Sequence, residues 1–270
     1  FRGNTKLNAR HTINLVGTRH CTPYGQDIIR LFIKELKALC TDVLIFSGLA
    51  YGVDIHSHRA ALENGFDTVG VLAHGLDDLY PRGHQETALK MIKQGGLLTE
   101  YMTHTQPIAR NFVQRNRIVA GCSDATILIE SAAKGGGLIT CGIARSYGRE
   151  VFAVPGAIGA TYSEGCNNLI RDNGAALITS ATDLVKAMGW DDEQKLVLAQ
   201  QQGIERELFP DLSPEEERIV RTLQSNNDLQ INMLSVQTDI AISRLTGILF
   251  SLEMKGIIRT MAGGCYHLMV

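Results

Sequence analysis

Three glycine-bearing segments of this 270-residue chain are of the kind that binds a phosphate group. Glycine lets an anion approach the main chain closely, and the free amides at the start of a following helix donate to it. The alternative for each segment is a packing turn or a flexible loop. The candidate residues are Gly17, Thr18 and Arg19, then Ser47 and Gly48 within segment 47–54, and finally Lys134, Gly135, Gly136 and Gly137.

A fourth candidate is the segment 112–118, which predicts a helix with one aromatic and basic face. Phe112, Arg115 and Asn116 share that face by their i, i+3 and i+4 spacing. A ring that stacks on a base, beside a cation and an amide, suits a nucleic-acid strand. Arg117 lies off this face and is expected to serve the scaffold. The alternative places Phe112 in the core and leaves the arginines solvated.

Motifs for catalysis or metal binding are incomplete. His84 and Glu86 have the spacing of a zinc deaminase, but the downstream cysteine pair is missing. His56 and His58 are two residues apart in a predicted helix and therefore point apart. We expect no catalytic residue, no metal and no cofactor. Four carboxylates are expected to be solvated surface groups: Asp54, Asp77, Asp78 and Glu100.

The formal net charge of −2 excludes a strongly basic nucleic-acid binder as a description of the whole chain. Three windows nevertheless contain cations and no acid. If they meet in space, they form an anion site on a nearly neutral protein. These windows are residues 1–26 with Arg2, Lys6, Arg10 and Arg19, residues 101–123 with Arg110, Arg115 and Arg117, and residues 131–149 with Lys134, Arg145 and Arg149.

Composition predicts a folded cytoplasmic protein. Hydrophobic residues make up 44% and charged residues 20%, which is ordinary for a globular chain. No apolar run approaches the roughly 20 residues of a membrane span, and no signal peptide opens the sequence. The six cysteines lie far apart with no CxxC pair, so we expect reduced thiols. Because the first residue is Phe1, we expect a trimmed form of a longer chain.

The elements that must position these residues alternate between strand and helix. Seven apolar runs predict strands rich in Val, Ile and Leu, as in a parallel sheet buried on both faces. Helical windows separate them, which predicts a doubly wound, mostly parallel α/β domain of the Rossmann-like type over residues 1–189. The predicted strands are 12–16, 43–46, 68–73, 97–99, 125–129, 151–154 and 175–178. The predicted helices are 24–40, 53–64, 84–94, 111–121, 138–147, 164–172 and 181–188.

Residues 190–212 are acidic and glutamine-rich, and we interpret them as a linker. A second domain is predicted over 213–270. Ser213 followed by Pro214 and acidic residues is typical of a helix start. Further helices are expected at 231–236 and 240–255, and a hairpin is expected to turn at Gly263 and Gly264. Three helices and a hairpin predict a small winged-helix domain.

In their joint order these motifs resemble the DNA-processing protein A family (DprA, also called Smf). The resemblance is carried by the motifs at 16–19, 47–54, 79–81, 112–117, 151–156 and 164–170. It implies an extended Rossmann-like domain that binds single-stranded DNA, dimerises, protects incoming DNA and loads the RecA recombinase during natural transformation. It also implies a mediator without catalytic activity. The DNA pocket would be lined by Arg19, the 112–117 block, and Lys134 with its glycine loop.

Two features depart from the family pattern. The usual Lys-Ser-Gly-Ser-Leu loop is Lys134-Gly135-Gly136-Gly137-Leu138 here. Two hydroxyl donors are therefore missing, and main-chain amides would carry more of the anion contact. The helical domain that commonly precedes the Rossmann-like domain has no counterpart in this sequence.

Two other functions compete with this prediction. A nucleotide-binding enzyme of the phosphoribohydrolase type has a glycine loop followed by threonine and glutamate, but here Gly142, Ile143 and Ala144 stand where the acid should fall. A regulator that reads duplex DNA would use the helix at 240–255. That helix carries Arg244 and Lys255, but its domain holds one more acid than bases. We therefore favour a protein partner for the second domain.

Overall fold

The structure is a computed structural model that describes residues 1–191, 212–261 and 264–269. The chain divides into two compact units, Phe1–Leu198 and Ala199–Val270. The predicted acidic linker, 190–212, lies outside the described residues except at 190, 191 and 212.

The first unit is built on an eight-stranded sheet with the order β1-β5-β4-β3-β2-β6-β7-β8. All neighbouring strands are parallel except β1, which pairs antiparallel with β5 through Arg2 opposite Leu97 and Gly3 opposite Gly96. The seven predicted strands are confirmed, whereas β1 was missed. The strands are β1 Arg2–Gly3, β2 His11–Val16, β3 Val43–Ser47, β4 Thr68–Val71, β5 Gly95–Leu98, β6 Ala125–Leu128, β7 Glu150–Ala153 and β8 Ala176–Leu177.

Within the described part of the first unit, six α-helices connect successive strands from β2 to β8 and a seventh follows β8. All seven predicted helical windows are confirmed to within a few residues. A 3-10 turn at Arg82–His84 leads into the third helix. The helices are α1 Pro23–Leu39, α2 Val53–Glu63, α3 Gln85–Lys93, α4 Ala109–Gly121, α5 Gly136–Ser146, α6 Glu164–Arg171 and α7 Ala181–Ala187. None of the helices in the described residues is long and apolar enough to cross a bilayer. All six cysteines are free thiols.

Helices cover both faces of the sheet, so its strands are buried on both sides. Successive strand residues point to opposite faces. Ile13 and Leu15 of β2 pack with α1, α2 and α7 in one apolar cluster. Val16 packs with α4, α5 and α6 in the cluster on the other face. This is the doubly wound arrangement that the continuous apolar runs predicted.

The strand order fixes where a ligand site is expected. From β2 the chain builds outward through β3, β4 and β5, and then returns to place β6 against the other side of β2. The order reverses between β2 and β6, and open α/β sheets bind ligands outside the carboxyl ends of the strands at such a point. The segments that follow β2 and β6 carry Gly17 to Arg19 and Lys134 to Gly137.

The second unit has the winged-helix arrangement. Its three strands form an antiparallel sheet in the order β10-β11-β9, and Leu223, Leu245 and Leu249 are at the centre of its core. The three predicted helices and the hairpin strands are confirmed, β9 was missed, and Gly263 at the predicted turn lies outside the described residues. The elements are α8 Pro214–Ser225, β9 Leu229–Gln230, α9 Ile231–Thr238, α10 Ile242–Met254, β10 Ile258–Met261 and β11 Cys265–Leu268.

The predicted helix start at Ser213 is confirmed, and a capping box fixes it. The Ser213 hydroxyl accepts from the Glu216 amide at 3.3 Å, and the Glu216 carboxylate accepts from the Ser213 amide at 2.8 Å. Burial alone would raise the pKa of Glu216. The Ser213 amide, the Lys255 ammonium and the Ser251 hydroxyl outweigh it and lower that pKa from 4.5 to about 2. Glu216 therefore ties α8 to the end of α10 as a charged group.

Candidate nucleic-acid interface

A pocket of about 120 Å³ opens at the carboxyl edge of the sheet, beside the ends of β2 and β3. Helices α4 and α5 form its other walls. Its lining residues are Val16, Gly17, Arg19, Gly48, Ala50, Tyr51, Asp54, Phe112, Val113, Arg115, Asn116, Val119, Gly136, Gly137, Ile139 and Thr140.

Two glycines allow close packing around the end of β2. A Cβ on Gly137 would lie 2.7 Å from Leu128 Cδ1 and 3.1 Å from the Gly17 Cα. A Cβ on Gly17 would lie 2.6 Å from the Glu130 carbonyl oxygen and from Val53 Cγ2. Gly137 therefore lets the first turn of α5 approach the end of β2, and Gly17 lets that end approach α2 and the segment after β6.

The segment after β2 is tied to its neighbours through main-chain atoms. The Thr18 amide donates to the Glu130 carbonyl at 2.8 Å, and the Thr18 carbonyl accepts from the Val53 amide at 3.1 Å. Gly52, just before α2, has φ +74°, and a Cβ there would collide with the Thr18 carbonyl oxygen. Thr18 thus fixes the segment that presents Arg19, and it is not itself a lining residue.

Arg115 forms the floor of the pocket. It is only 4% exposed, and its Nη1 donates to the carbonyl of Gly48 at 2.7 Å and to the carbonyl of Val71. Burial lowers the pKa of Arg115, and the nearby Asp54 carboxylate opposes that effect. A Cβ on Gly48 would lie 2.5 Å from the Arg115 guanidinium, so glycine is required there. The guanidinium is therefore committed to holding the ends of β3 and β4.

Asp54 lies beside this guanidinium, and the expectation that it is a solvated surface group is wrong. Its carboxylate accepts from the amides of Gly48 at 3.1 Å and Ala50 at 3.3 Å. Burial raises the pKa of Asp54, while the Arg115 charge and those amides act in the opposite direction. The sequence carried a signal for this role, because Asp54 is predicted in the first turn of a helix that follows a glycine-bearing loop. A carboxylate at that position is stabilised by the free amides at the start of the helix.

The exposed Arg19 and the half-buried Phe112 form the rim of the pocket. Arg19 is exposed, and its guanidinium carbon lies 5.7 Å from the centroid of the Phe112 ring. This is a cation–π distance. Within the described residues Arg19 has no ion-pair partner, so its donors face the pocket and solvent. Asn116, one turn after Phe112, also lines the pocket.

The glycine run after β6 begins a helix. Gly135 is the N-cap of α5 with an extended φ of −152°, and none of the three glycines has a positive φ. These three residues therefore do not form a main-chain nest, which needs residues of alternating backbone handedness. The amides of Gly136 and Gly137 instead lie in the first helical turn, where they have no carbonyl partner within the helix. Lys134 is exposed on the segment that leads into this turn.

The structure thus gathers most of the predicted site residues around one pocket and places the rest behind or beside it. Ser47 is fully buried, and its hydroxyl donates to the Leu15 carbonyl at 2.7 Å, so it serves the sheet. The predicted residues in the lining are Gly17, Arg19, Gly48, Phe112, Arg115, Asn116, Gly136 and Gly137. The predicted residues outside the lining are Thr18, Ser47, Lys134 and Gly135.

No group of three or more His, Cys, Asp or Glu side chains in the part of the chain that the structure describes is arranged to hold a metal ion. His58 is fully buried and contacts the Thr68 hydroxyl through Nδ1 at 2.7 Å, and its burial lowers the pKa to about 3.

The two cations on and just after α10 are paired with acids of the same unit. Arg244, near the start of α10, lies 2.9 Å from a Glu215 carboxylate oxygen. Lys255, just after α10, lies 2.9 Å from the Glu216 carboxylate. The exposed apolar residues Phe250 and Met254 also lie on this helix. A duplex-reading helix presents free cations instead.

Comparison with known families gives two matches. The family model described as DNA recombination-mediator protein A matches residues 1–189, and the model described as DprA winged helix domain matches residues 207–264.

Similar proteins come from several bacteria. The putative DNA processing protein DprA of Mycobacterium tuberculosis is 35% identical over 243 residues, which cover 90% of this chain and 61% of that protein. Protein Smf of Escherichia coli is 40% identical over 184 residues, which cover 67% of this chain and 48% of that protein. The chain thus spans about half to two thirds of the length of these curated relatives.

Two solved structures share the fold of the first unit. DNA processing protein A from Streptococcus pneumoniae aligns with a TM-score of 0.65 and 37% identity over 68% of this chain and 64% of that chain. A structure that concerns the single-stranded DNA binding mode of DNA processing protein A from Helicobacter pylori aligns with a TM-score of 0.64 and 28% identity over 70% of this chain and 86% of that chain.

Proposed function

The chain belongs to the DNA recombination-mediator protein A family, and on that premise we propose that it binds single-stranded DNA in the pocket at the carboxyl edge of its sheet. The observation that carries this proposal is the exposed Arg19 guanidinium, held at the pocket rim 5.7 Å from the Phe112 ring centroid. A phosphate and an adjacent base need a cation and a ring placed side by side. The relative from Helicobacter pylori is described as binding single-stranded DNA.

The residues divide into contacts and supports. Arg19 binds a phosphate, and the free amides of Gly136 and Gly137 donate to phosphate oxygens from the positive end of α5. Phe112 stacks on a base and Asn116 binds its edge. Lys134 adds positive charge at the approach to α5. The supports are Gly17, Thr18, Ser47, Gly48, Arg115 and Gly135, which hold the pocket walls in place.

The charge balance of the pocket supports an anionic ligand. Arg19 and Arg115 contribute two positive charges, and Asp54 contributes one negative charge that is bound to loop amides. Asp54 is the carboxylate among the lining residues, and its oxygens are already engaged. We therefore assign no catalytic step to this pocket, and the phosphoribohydrolase alternative gains no support from it.

At the level of the cell, we propose that the protein protects incoming single strands and loads the RecA recombinase onto them in the cytoplasm during natural transformation. The family description as a recombination mediator supports this role. We further propose a homodimer formed through the Rossmann-like domain. For the winged-helix unit we propose a protein partner, because the cations of α10 are paired with Glu215 and Glu216.

Charge reversal tests the site. We expect Arg19→Glu and Lys134→Glu each to weaken binding of fluorescent oligo-dT by at least about 10-fold, because each removes a charge-assisted contact of about 1.5 kcal/mol or more. The logarithm of the association constant for oligo-dT falls linearly with the logarithm of the salt concentration, and that slope should become shallower by about 0.7 for each lost phosphate contact. Lys90→Glu is the matched control, because Lys90 is an exposed helical lysine outside the pocket lining.

Fluorescence anisotropy at two salt concentrations and thermal unfolding of each variant provide the readouts. The proposal is rejected if both reversed variants bind oligo-dT as tightly as the unaltered chain. It is also rejected if the Lys90 control loses as much affinity as they do, because the effect would then be one of net charge.

A further inference from the structure

An exposed ring lies next to Phe112, the ring that Arg19 also contacts. Tyr80 is 45% exposed, and its ring meets the half-buried Phe112 ring edge-to-face with centroids 5.7 Å apart. Tyr80 is not a lining residue of the pocket, whereas Phe112 is. Tyr80 therefore extends the aromatic surface beyond the pocket lining. Single exposed aromatic residues are common on protein surfaces, but this one is continuous with the proposed phosphate site.

The main chain that carries Tyr80 is held in place. Its amide donates to Nε2 of His74 at 3.2 Å, and His74 is only 1% exposed. The residues on either side are anchored, since Leu79 packs against the apolar cluster around α2 and α3 and Pro81 is buried. The ring is thus presented to solvent by a fixed segment. A ligand that uses it loses little conformational entropy from the protein side.

The geometry of the two rings determines what they can stack on. Their planes cross at 63°. Two bases that each lie flat on one of the rings must therefore tilt away from each other. Neighbouring bases in a duplex are parallel and about 3.4 Å apart, so they cannot occupy both rings. An unpaired strand can unstack and splay its bases, and such bases stack readily on aromatic side chains.

We infer that Tyr80 is a base-stacking residue for an unpaired nucleotide next to the one that contacts Phe112. The crossed pair then favours single strands over duplex. This inference rests on the proposed function, and it assigns to that site a second nucleotide position and a source of strand selectivity.

The test uses the full chain with three ligands: a short oligo-dT, an abasic strand of the same length, and a duplex of the same length. Tyr80→Ala should weaken oligo-dT binding by about 5- to 150-fold, the range expected when one stacked base is lost. It should leave the affinities for the abasic strand and the duplex unchanged, because neither offers a splayed base. Tyr80→Phe keeps the ring and should bind like the unaltered chain.

Tyr147→Ala is the matched control. Tyr147 is 51% exposed and follows the end of α5, opposite to the turn that lines the pocket. This variant should bind all three ligands like the unaltered chain. If Tyr80→Ala does not fold, Tyr80→Leu replaces it, since leucine preserves apolar bulk but offers no ring face.

The outcomes separate this inference from the proposed function. If Arg19→Glu loses oligo-dT binding and Tyr80→Ala does not, the inference is wrong and the proposed function stands. An equal loss on oligo-dT and on the abasic strand also overturns it, because stacking needs a base. If the unaltered chain does not bind oligo-dT, the proposed function itself fails.

Discussion

Replacement of Arg115 by alanine should destabilise the first unit, and any loss of DNA binding should follow from that. The guanidinium is 4% exposed and donates to the carbonyls of Gly48 and Val71, with the Asp54 carboxylate nearby. Arg115→Ala leaves these groups in place without their donor. Its role in the pocket is therefore distinct from that of the exposed Arg19.

The magnitude follows from the groups left behind. Each buried carbonyl that loses its donor costs about 1–3 kcal/mol. Because two carbonyls lose their donor, we expect the free energy of unfolding to fall by about 2–6 kcal/mol. For a unit of this size each kcal/mol lowers the melting temperature by about 2–4 °C, so the expected fall is about 4–24 °C.

The assay combines thermal unfolding, followed by circular dichroism, with oligo-dT binding measured well below every melting transition. Arg117→Ala is the matched control on the same helix. Arg117 pairs with Glu100 at the surface, where an ion pair contributes about 1 kcal/mol or less. Arg19→Ala should show the opposite behaviour to Arg115→Ala, with an unchanged melting temperature and weakened binding. The reasoning is refuted if Arg115→Ala melts like the unaltered chain and yet does not bind oligo-dT.

Two further outcomes are expected. Gly137→Ala should lower the free energy of unfolding by about 1–3 kcal/mol, because its Cβ would meet Leu128 at 2.7 Å and Gly17 at 3.1 Å. Gly136→Ala has nothing within 4 Å of its Cβ and should melt like the unaltered chain. Equal melting temperatures for the two variants would contradict this prediction. The pKa of Glu216 is lowered to about 2, so its charge stabilises the second unit at neutral pH, and this stabilisation is lost as pH falls from about 5 to about 2. Melting curves followed by circular dichroism should show that decline, and Glu216→Gln should be less stable at pH 7 and depend less on pH. The assignment is refuted if Glu216→Gln has the same dependence of stability on pH as the unaltered chain.

The architecture was predictable because its signal is long and repeated. Seven apolar runs between helical windows identify the parallel sheet, since each strand is buried on both faces. The two strands that were missed, β1 and β9, have two residues each and pair at a sheet edge. Arg2 and Gly3 of β1 are exposed and carry no apolar pattern. Such strands are defined by the neighbour they pair with, which the local sequence does not reveal.

The sequence predicted which residues form the site but not how deeply each side chain is buried. Helical spacing correctly placed Phe112, Arg115 and Asn116 on one face. It could not distinguish the buried Arg115 from its exposed neighbours, because depth depends on Gly48, 67 residues away in sequence, whose missing side chain makes room for the guanidinium. In the same way, the sequence did not show which glycine of the run is needed for close packing, whereas in the structure Gly137 approaches Gly17 and none of the three has a positive φ.

The acid-free windows show why local charge is a weak guide to an anion site. Within the described residues, Arg117 pairs with Glu100 and Arg149 pairs with Asp124, and both acids come from outside the windows. Folding therefore neutralises part of the positive charge that the windows suggested. Arg19 escapes this neutralisation because it follows β2 at the carboxyl edge, where it contacts the Phe112 ring. The carboxylate in the same pocket lining, Asp54, is bound to loop amides. Position relative to the sheet, more than the number of cations, decides which charge is available to a phosphate.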